Sequence, residues 1–156
     1  MKRMISNFRG KYFFLSNFYG HPVEYEGITY ANNEAAFQSA KIKRGGRVEN
    51  RRTYETVTRE TFASLSPNEA KRLGRSIVLR EDWEDVKVKV MATIVVNKFK
   101  DPVLRRKLLD TGDEELVEGN TWSDHYWGVC DGQGLNKLGK ILMAVRNKEK
   151  NLYENQ

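Results

Sequence analysis

The sequence predicts an α+β fold: a single compact, mostly helical domain carrying a small antiparallel sheet. Three observations predict it. From Tyr12 to Tyr30, aromatic and β-branched residues alternate with polar ones, the period-two pattern of half-buried strands. From Asp82 to Lys98, apolar residues recur at spacings of three and four, the stripe of an amphipathic helix. The stretch "SPNEAKRLG", residues 66–74, carries start and stop signals of a further helix in one short run.

Taken in order, the segments "YGHP" and "EYEGITY" predict two or three short strands joined by turns at Gly20 and Gly27. Asn32 or Asn33 then caps a helix reaching about Arg44, where "RGG" ends it. Glu34 falls in its first turn, where the helix dipole favours an anion. Ser66 as N-cap, Pro67 at the first helical position, Glu69 closing a capping box and Gly74 as the stop define a short helix. Trp83, Val86, Val90, Met91, Ile94 and Val95 form the face of a core helix. Asp101 and Pro102 open another, bearing Leu104, Leu108 and Leu109 and stopped by "TGD". "EELVEG" reads as a short strand. Leu135, Leu138, Leu142 and Val145 trace a C-terminal helix entered from a glycine-rich loop.

At 156 residues, with 39% hydrophobic and 31% charged side chains, the chain is expected to form one domain over 1–156, its core at about 8–147. No apolar run approaches the roughly 20 residues a membrane span needs, so no membrane association is expected. "MKRMISNFRGKYFF" lacks the apolar core and cleavage site of an export signal, and the single cysteine, Cys130, forms no internal disulfide; a cytoplasmic location is the expectation. The net charge of +6 favours anionic partners. Basic residues cluster between Lys41 and Arg59 but are interleaved with Glu49 and Glu55, a phosphate-attracting rim more than a groove for a long strand.

The loop "SDHYWGVCDGQGLN", residues 123–136, concentrates the chemistry. Two histidines and one cysteine supply no metal-ligand spacing, and no metal or cofactor is expected. No nucleophile motif surrounds Cys130, which reads as a small packed residue. The glycines match neither a Walker loop nor a dinucleotide fingerprint, but a phosphate seat at the start of the last helix, where backbone N–H groups and the dipole favour an anion, stays open to them. Asp124 beside Trp127, with Glu34 and Trp83 elsewhere, offers carboxylates and aromatic plates, groups that suit an oxocarbenium-like transition state at a glycosidic bond. Singly, each also has a plain structural use: Trp83 as core, Asp124 as a turn cap, Glu34 as a complement to its helix dipole.

The segments "FFLSNFYGHPVEYEGITYANNEAAFQSAK", "SPNEAKRLGR", "REDWEDVKVKVM", "NKFKDPVLRRKLLDTGDEELVE", "SDHYWG" and "GLNKLGKILMAVR" resemble, in order, the successive blocks of the YbiA-like or NADAR family, over roughly Phe8 to Arg146. The resemblance implies a largely helical α+β domain that recognises ribosyl compounds related to NAD and ADP-ribose and cleaves N-glycosidic bonds. One branch of the family acts on phosphorylated ribosylamino-pyrimidine intermediates of riboflavin synthesis; another removes ADP-ribose from guanine in DNA. Carried over by position, Glu34 of "EAAFQSAK" is the catalytic acid or base, and Asp124 of "DHYWG" activates water or stabilises transition-state charge. Trp127 stacks, with Gly128 closing the same block. Trp83 is a further site aromatic, and Asn136 binds the sugar or orders the loop. Ser16, Asn17 and Phe18 line the pocket, and Lys41 and Arg75 contact a phosphate. Two stretches depart from the family pattern. Ala35 and Ala36 replace bulky residues of many relatives, which implies a differently shaped pocket wall, and Asp131 puts a negative charge near the expected phosphate seat.

The resemblance therefore implies an N-glycosidase, a hydrolase cleaving the C–N bond between a ribose phosphate and a base, with a ribosylamino-pyrimidine intermediate of riboflavin biosynthesis as the leading substrate. The alternatives are removal of ADP-ribose from guanine in nucleic acid, which makes modified nucleic acid the partner, and a non-catalytic module binding NAD or ADP-ribose.

Overall fold

The computed structural model describes residues 3–155; the ends of the expected 1–156 span, Met1, Lys2 and Gln156, lie outside the described residues. The elements run β1 (Met4–Ile5), a 3-10 helix (Gly10–Leu15), β2 (Gly20–Tyr25), β3 (Ile28–Asn32), α1 (Asn33–Ser39), β4 (Val48–Glu49), β5 (Thr56–Val57), a second 3-10 helix (Arg59–Phe62), α2 (Pro67–Gly74), α3 (Trp83–Lys98), α4 (Pro102–Leu109), β6 (Glu115–Leu116) and α5 (Lys137–Glu154). They fall into two compact units, Asn17–Lys98 and Met1–Ser16 with Phe99–Gln156. No described helix is long and apolar enough to cross a membrane.

In the unit Asn17–Lys98, β2 and β3 pair antiparallel with Val23 opposite Tyr30 and Tyr25 opposite Ile28. Their turn needs two residues in the left-handed region, Glu26 at φ 46° and Gly27 at φ 90°. Gly20 is not a turn residue, as expected above, but the first residue of β2, paired with Asn32. Val23, Tyr25 and Tyr30 put one face of the hairpin into the core. Asn32 ends β3 and caps α1, its side chain accepting from the Ala35 N–H at 2.8 Å.

Every residue of α1 is buried. The helix ends at Ser39, well short of Arg44, because distant arginines take the next carbonyls: Arg80 N–H donates to Lys41 O at 2.9 Å and Arg59 Nε to Ile42 O at 2.8 Å. A carbonyl bonded from outside does not need the next helical turn. The helix α2 has the expected capping box, Ser66 and Glu69 satisfying each other's backbone N–H groups. On α3, Trp83, Val90, Met91, Ile94 and Val95 are buried as the periodicity predicts, while Val86 is only half-buried. Lys98 closes α3 at 2% exposure, its Nζ 5.5 Å over the Tyr19 ring, and burial brings its amine down to about 7.

In the other unit, β1 and β6 form a separate two-stranded parallel sheet, Met4 opposite Glu115 and Ile5 opposite Leu116. The segment from Tyr12 to Leu15, expected as strand, is 3-10 helix. Phe14 and Leu15 are consecutive and both buried, which an alternating strand does not allow, and the Phe14 ring meets Phe99 edge-on at 6.4 Å. Asp101 caps α4 through Oδ2, which accepts from the Leu104 N–H at 3.0 Å, and Leu104 and Leu108 are buried with Leu109 half-buried. On α5, Leu138, Leu142 and Val145 face inward, whereas Leu135 precedes the helix and is exposed.

Candidate active site

The residues singled out in the sequence fall into two clusters, one in each unit. In the unit Asn17–Lys98 the centre is Glu34, in the first turn of α1 and 8% exposed. Its backbone N–H donates to Asn17 O at 3.0 Å, and its Oε1 accepts from Gln38 Nε2, one helical turn on, at 2.8 Å. Asn17 is fixed in turn, its Oδ1 accepting from Asn33 Nδ2 at 3.2 Å and its Nδ2 donating to Met91 Sδ at 3.4 Å. Lys41 lies within the field of Glu34: burial holds its ammonium below the usual lysine value, Glu34 raises it, and Arg75 lowers it again. Asn17 and Glu34 thus meet at the head of α1, while Lys41 lies just past the other end of the helix, within the field of Glu34 and Arg75. Trp83 joins from α3 through Phe37, their ring centroids 5.1 Å apart at 54°, and at 5% exposure it packs as a wall. Phe18 follows Asn17 and is half-buried. Ala35 and Ala36 have no exposed surface and serve the core side of α1.

The second cluster, in the unit Met1–Ser16 with Phe99–Gln156, is the loop from Glu118 to Asn136. Asp124 Oδ1 accepts from the backbone N–H groups of Tyr126 at 3.0 Å and Trp127 at 2.9 Å, an Asx turn that sets the direction of both rings. Those rings meet edge to face at 4.9 Å. Asn120 is the hub of the loop: its Oδ1 accepts from Asp124 N at 3.0 Å, and its Nδ2 donates to Asp124 O at 2.9 Å and to Glu118 Oε2 and Val129 O, each at 3.3 Å. Gly128 is glycine because a Cβ there would overlap the carboxylate and carbonyl of Glu118. Asn136, in the left-handed region at φ 51°, accepts from Glu118 N and donates to Leu116 O, both at 2.9 Å. Of the two uses expected for Asn136, these bonds supply the ordering of the loop. Ser16 belongs to this unit, ending the first 3-10 helix with its N–H on Phe13 O at 2.9 Å.

The expected phosphate seat at the start of α5 is already filled. Lys137 N–H donates to Tyr126 O at 3.1 Å and Leu138 N–H to Trp127 O at 3.0 Å, so the loop's own carbonyls occupy the donors an anion would use. Asp131 faces no such seat; with Gly132 it makes the left-handed turn of a tight hairpin between Cys130 and Gln133. Cys130 is buried, as expected of a packed residue.

Three residues of these clusters were not singled out from the sequence. Gln38 was legible, four positions from Glu34 on the same helix face. Asn120 sits in the turn-rich run "NTWSD", a signal for its loop but not for its partners. Glu118 carries no local signal, since its place against Gly128 arises only on folding.

The model of the NADAR domain family matches residues 4–149. The chain is 37% identical over 141 residues to N-glycosidase Npun_R5314 of Nostoc punctiforme, covering 88% of this chain and 85% of that one. It is 37% identical over 139 residues to riboflavin biosynthesis protein VVA0006 of Vibrio vulnificus, covering 86% of this chain but only 35% of that longer one. The NMR structure of E. coli YbiA matches all of this chain and 90% of its own with a TM-score of 0.78 at 33% identity. By family model, sequence relatives and fold together, the chain belongs to the NADAR domain family.

Proposed function

We propose that the protein is an N-glycosidase: a hydrolase that cleaves the C–N bond between a ribose phosphate and a base, with a ribosylamino-pyrimidine intermediate of riboflavin biosynthesis as the leading substrate. Relatives named N-glycosidase and riboflavin biosynthesis protein support the reaction class. The observation that carries the residue assignment is Glu34, a buried carboxylate in the first turn of α1 held by the Gln38 side-chain amide.

In this reaction the C–N bond electrons leave with the base, which takes up a proton, while water adds its oxygen to the ribose carbon and gives up a proton. A fixed carboxylate serves by accepting the water proton and by facing the positive charge that grows on the ring. Glu34 has that role. Lys41 and Arg75 supply the positive field for the ribose phosphate. Trp83, packed on Phe37, walls this group on its own unit's side; in the other unit Trp127, aimed by Asp124, is the aromatic face of the loop. Asp124 takes second place as a reacting group, because its Oδ1 already accepts two backbone N–H groups. The test is chromatographic product analysis with ribosylamino-pyrimidine phosphates, NAD and ADP-ribose as substrates. Free base and ribose phosphate are the expected products, and an unchanged substrate panel with binding intact would replace the enzyme with a binding module.

A second reading has its own observation. The hairpin β4–β5 exposes Arg51, Arg52 and Tyr54, with Tyr54 76% exposed in the left-handed region at φ 65°. Arg51 N–H bonds Ser76 O at 2.8 Å, placing this hairpin beside the segment that carries Arg75. An exposed ring among arginines suits a stacked base and its phosphates, which favours a substrate carried on nucleic acid. Release of ADP-ribose from a modified guanine oligonucleotide, with salt-dependent binding, selects this reading.

A further inference from the structure

We infer that Gln38 is the positioning residue that holds the Glu34 carboxylate for reaction, and that Gly74 is glycine to make room for the Gln38 amide. The inference rests on Glu34 being the reacting carboxylate.

The two side chains lie one turn apart on α1, 8% and 6% exposed, with Gln38 Nε2 2.8 Å from Glu34 Oε1. An ionised carboxylate only accepts, so the donor end of the amide must be the end that faces it. The other end is left over: Gln38 Oε1 is buried and accepts no hydrogen bond. A side chain placed for stability alone would satisfy both of its ends. This one leaves its carbonyl unsatisfied while its N–H reaches Glu34.

Gly74 explains where that carbonyl goes. A Cβ at position 74 would overlap Gln38 Oε1 and stand 2.8 Å from Gln38 Cδ. Gly74 is the last residue of α2 and is not among the residues with positive φ, so its backbone does not require glycine. Glycine is also a poorer helix former than alanine. The clearance for the amide is the remaining reason for it. The Glu34 backbone is already anchored through its N–H on Asn17 O. The Gln38 bond acts beyond that anchor, on the direction of the carboxylate itself.

The test combines turnover with a direct reading of the contact. With the leading substrate, Gln38→Leu is expected to lower kcat by about 10- to 100-fold, the range a small misplacement of a reacting group produces. KM should change less than about threefold, since the carboxylate acts chiefly in the transition state. Gly74→Ala should lower kcat in the same direction while Gln38 is present. In a Gln38→Ala background, the same Gly74→Ala change should alter kcat by less than about twofold, because the amide it displaces is gone. In proton–nitrogen NMR spectra, one Gln38 side-chain amide proton is expected to lie downfield in the wild type and to lose that shift in Gly74→Ala.

Lower melting temperatures with an unchanged kcat would make Gln38 a packing residue and overturn the inference. So would an amide proton unaffected by Gly74→Ala. Base released by the wild type and at an equal kcat by Gln38→Leu overturns this inference alone. No base from the wild type on any substrate overturns the N-glycosidase reading, and this one with it.

Discussion

Around Glu34, side chains hold side chains; in the loop from Glu118 to Asn136, side chains hold backbone. Gln38 donates to the Glu34 carboxylate, and Asn33 to the Asn17 amide. In the loop, by contrast, Asp124, Asn120 and Asn136 all bond main-chain N–H and C=O groups. A loop without helix or strand must satisfy its buried backbone somewhere, and polar side chains are the partners at hand. At the head of α1 the free N–H groups go to Asn17 O and Asn32 Oδ1, which leaves the side chains of Glu34 and Gln38 for chemistry. Residues equally conspicuous in the sequence thus serve different ends: those of the loop build the fold and those of α1 can be given up with little cost to it.

Stability measurements can break that contrast, and the expected effects fall in a definite order. Gly128→Ala comes first. Its Cβ collides with the Glu118 carboxylate and carbonyl, so denaturation should show a loss of about 3 kcal/mol, or roughly 6–12 °C in Tm. Asn136→Ala follows, leaving Glu118 N–H and Leu116 C=O without their partner at a cost of about 2 kcal/mol. Asn136→Gly suits the left-handed backbone and isolates the lost bonds from the strain.

Asp124→Ala should cost about 1–2 kcal/mol, whereas Asp124→Asn, which retains an acceptor oxygen, should stay within about 0.5 kcal/mol. Glu34→Gln should have the smallest effect, within about 1 kcal/mol in either direction, because Gln keeps an acceptor for Gln38 and removes a buried charge. A large loss of stability in Glu34→Gln, or none in Gly128→Ala, would erase the distinction between the two regions.

The sequence was most informative where structure is local. Ser66 with Glu69, Asn32, and Asp101 with Pro102 start their helices as expected, because a cap bonds only a few residues ahead. Helix ends were less legible. Where α1 stops depends on Arg59 and Arg80 reaching back to carbonyls near Ile42, partners that no window of sequence connects. The same holds in the loop. A glycine-rich entry to α5 suggests an anion seat, but the chain folds back and offers the carbonyls of Tyr126 and Trp127 instead. Glu34 stands out through its family motif, whereas Gln38 goes unmarked in the sequence although it lies four positions on along the same helix face. The partnership of Glu118 with Gly128 exists only in the fold.

The most direct test compares base release by Glu34→Gln and Asp124→Asn, both folded, on one ribosylamino-pyrimidine phosphate. Glu34→Gln is expected to lose at least about 100-fold in kcat, and Asp124→Asn less than about tenfold. The reverse order, with Asp124→Asn inactive and Glu34→Gln near the wild type, would contradict the assignment of the chemistry to the head of α1 and move it to the loop.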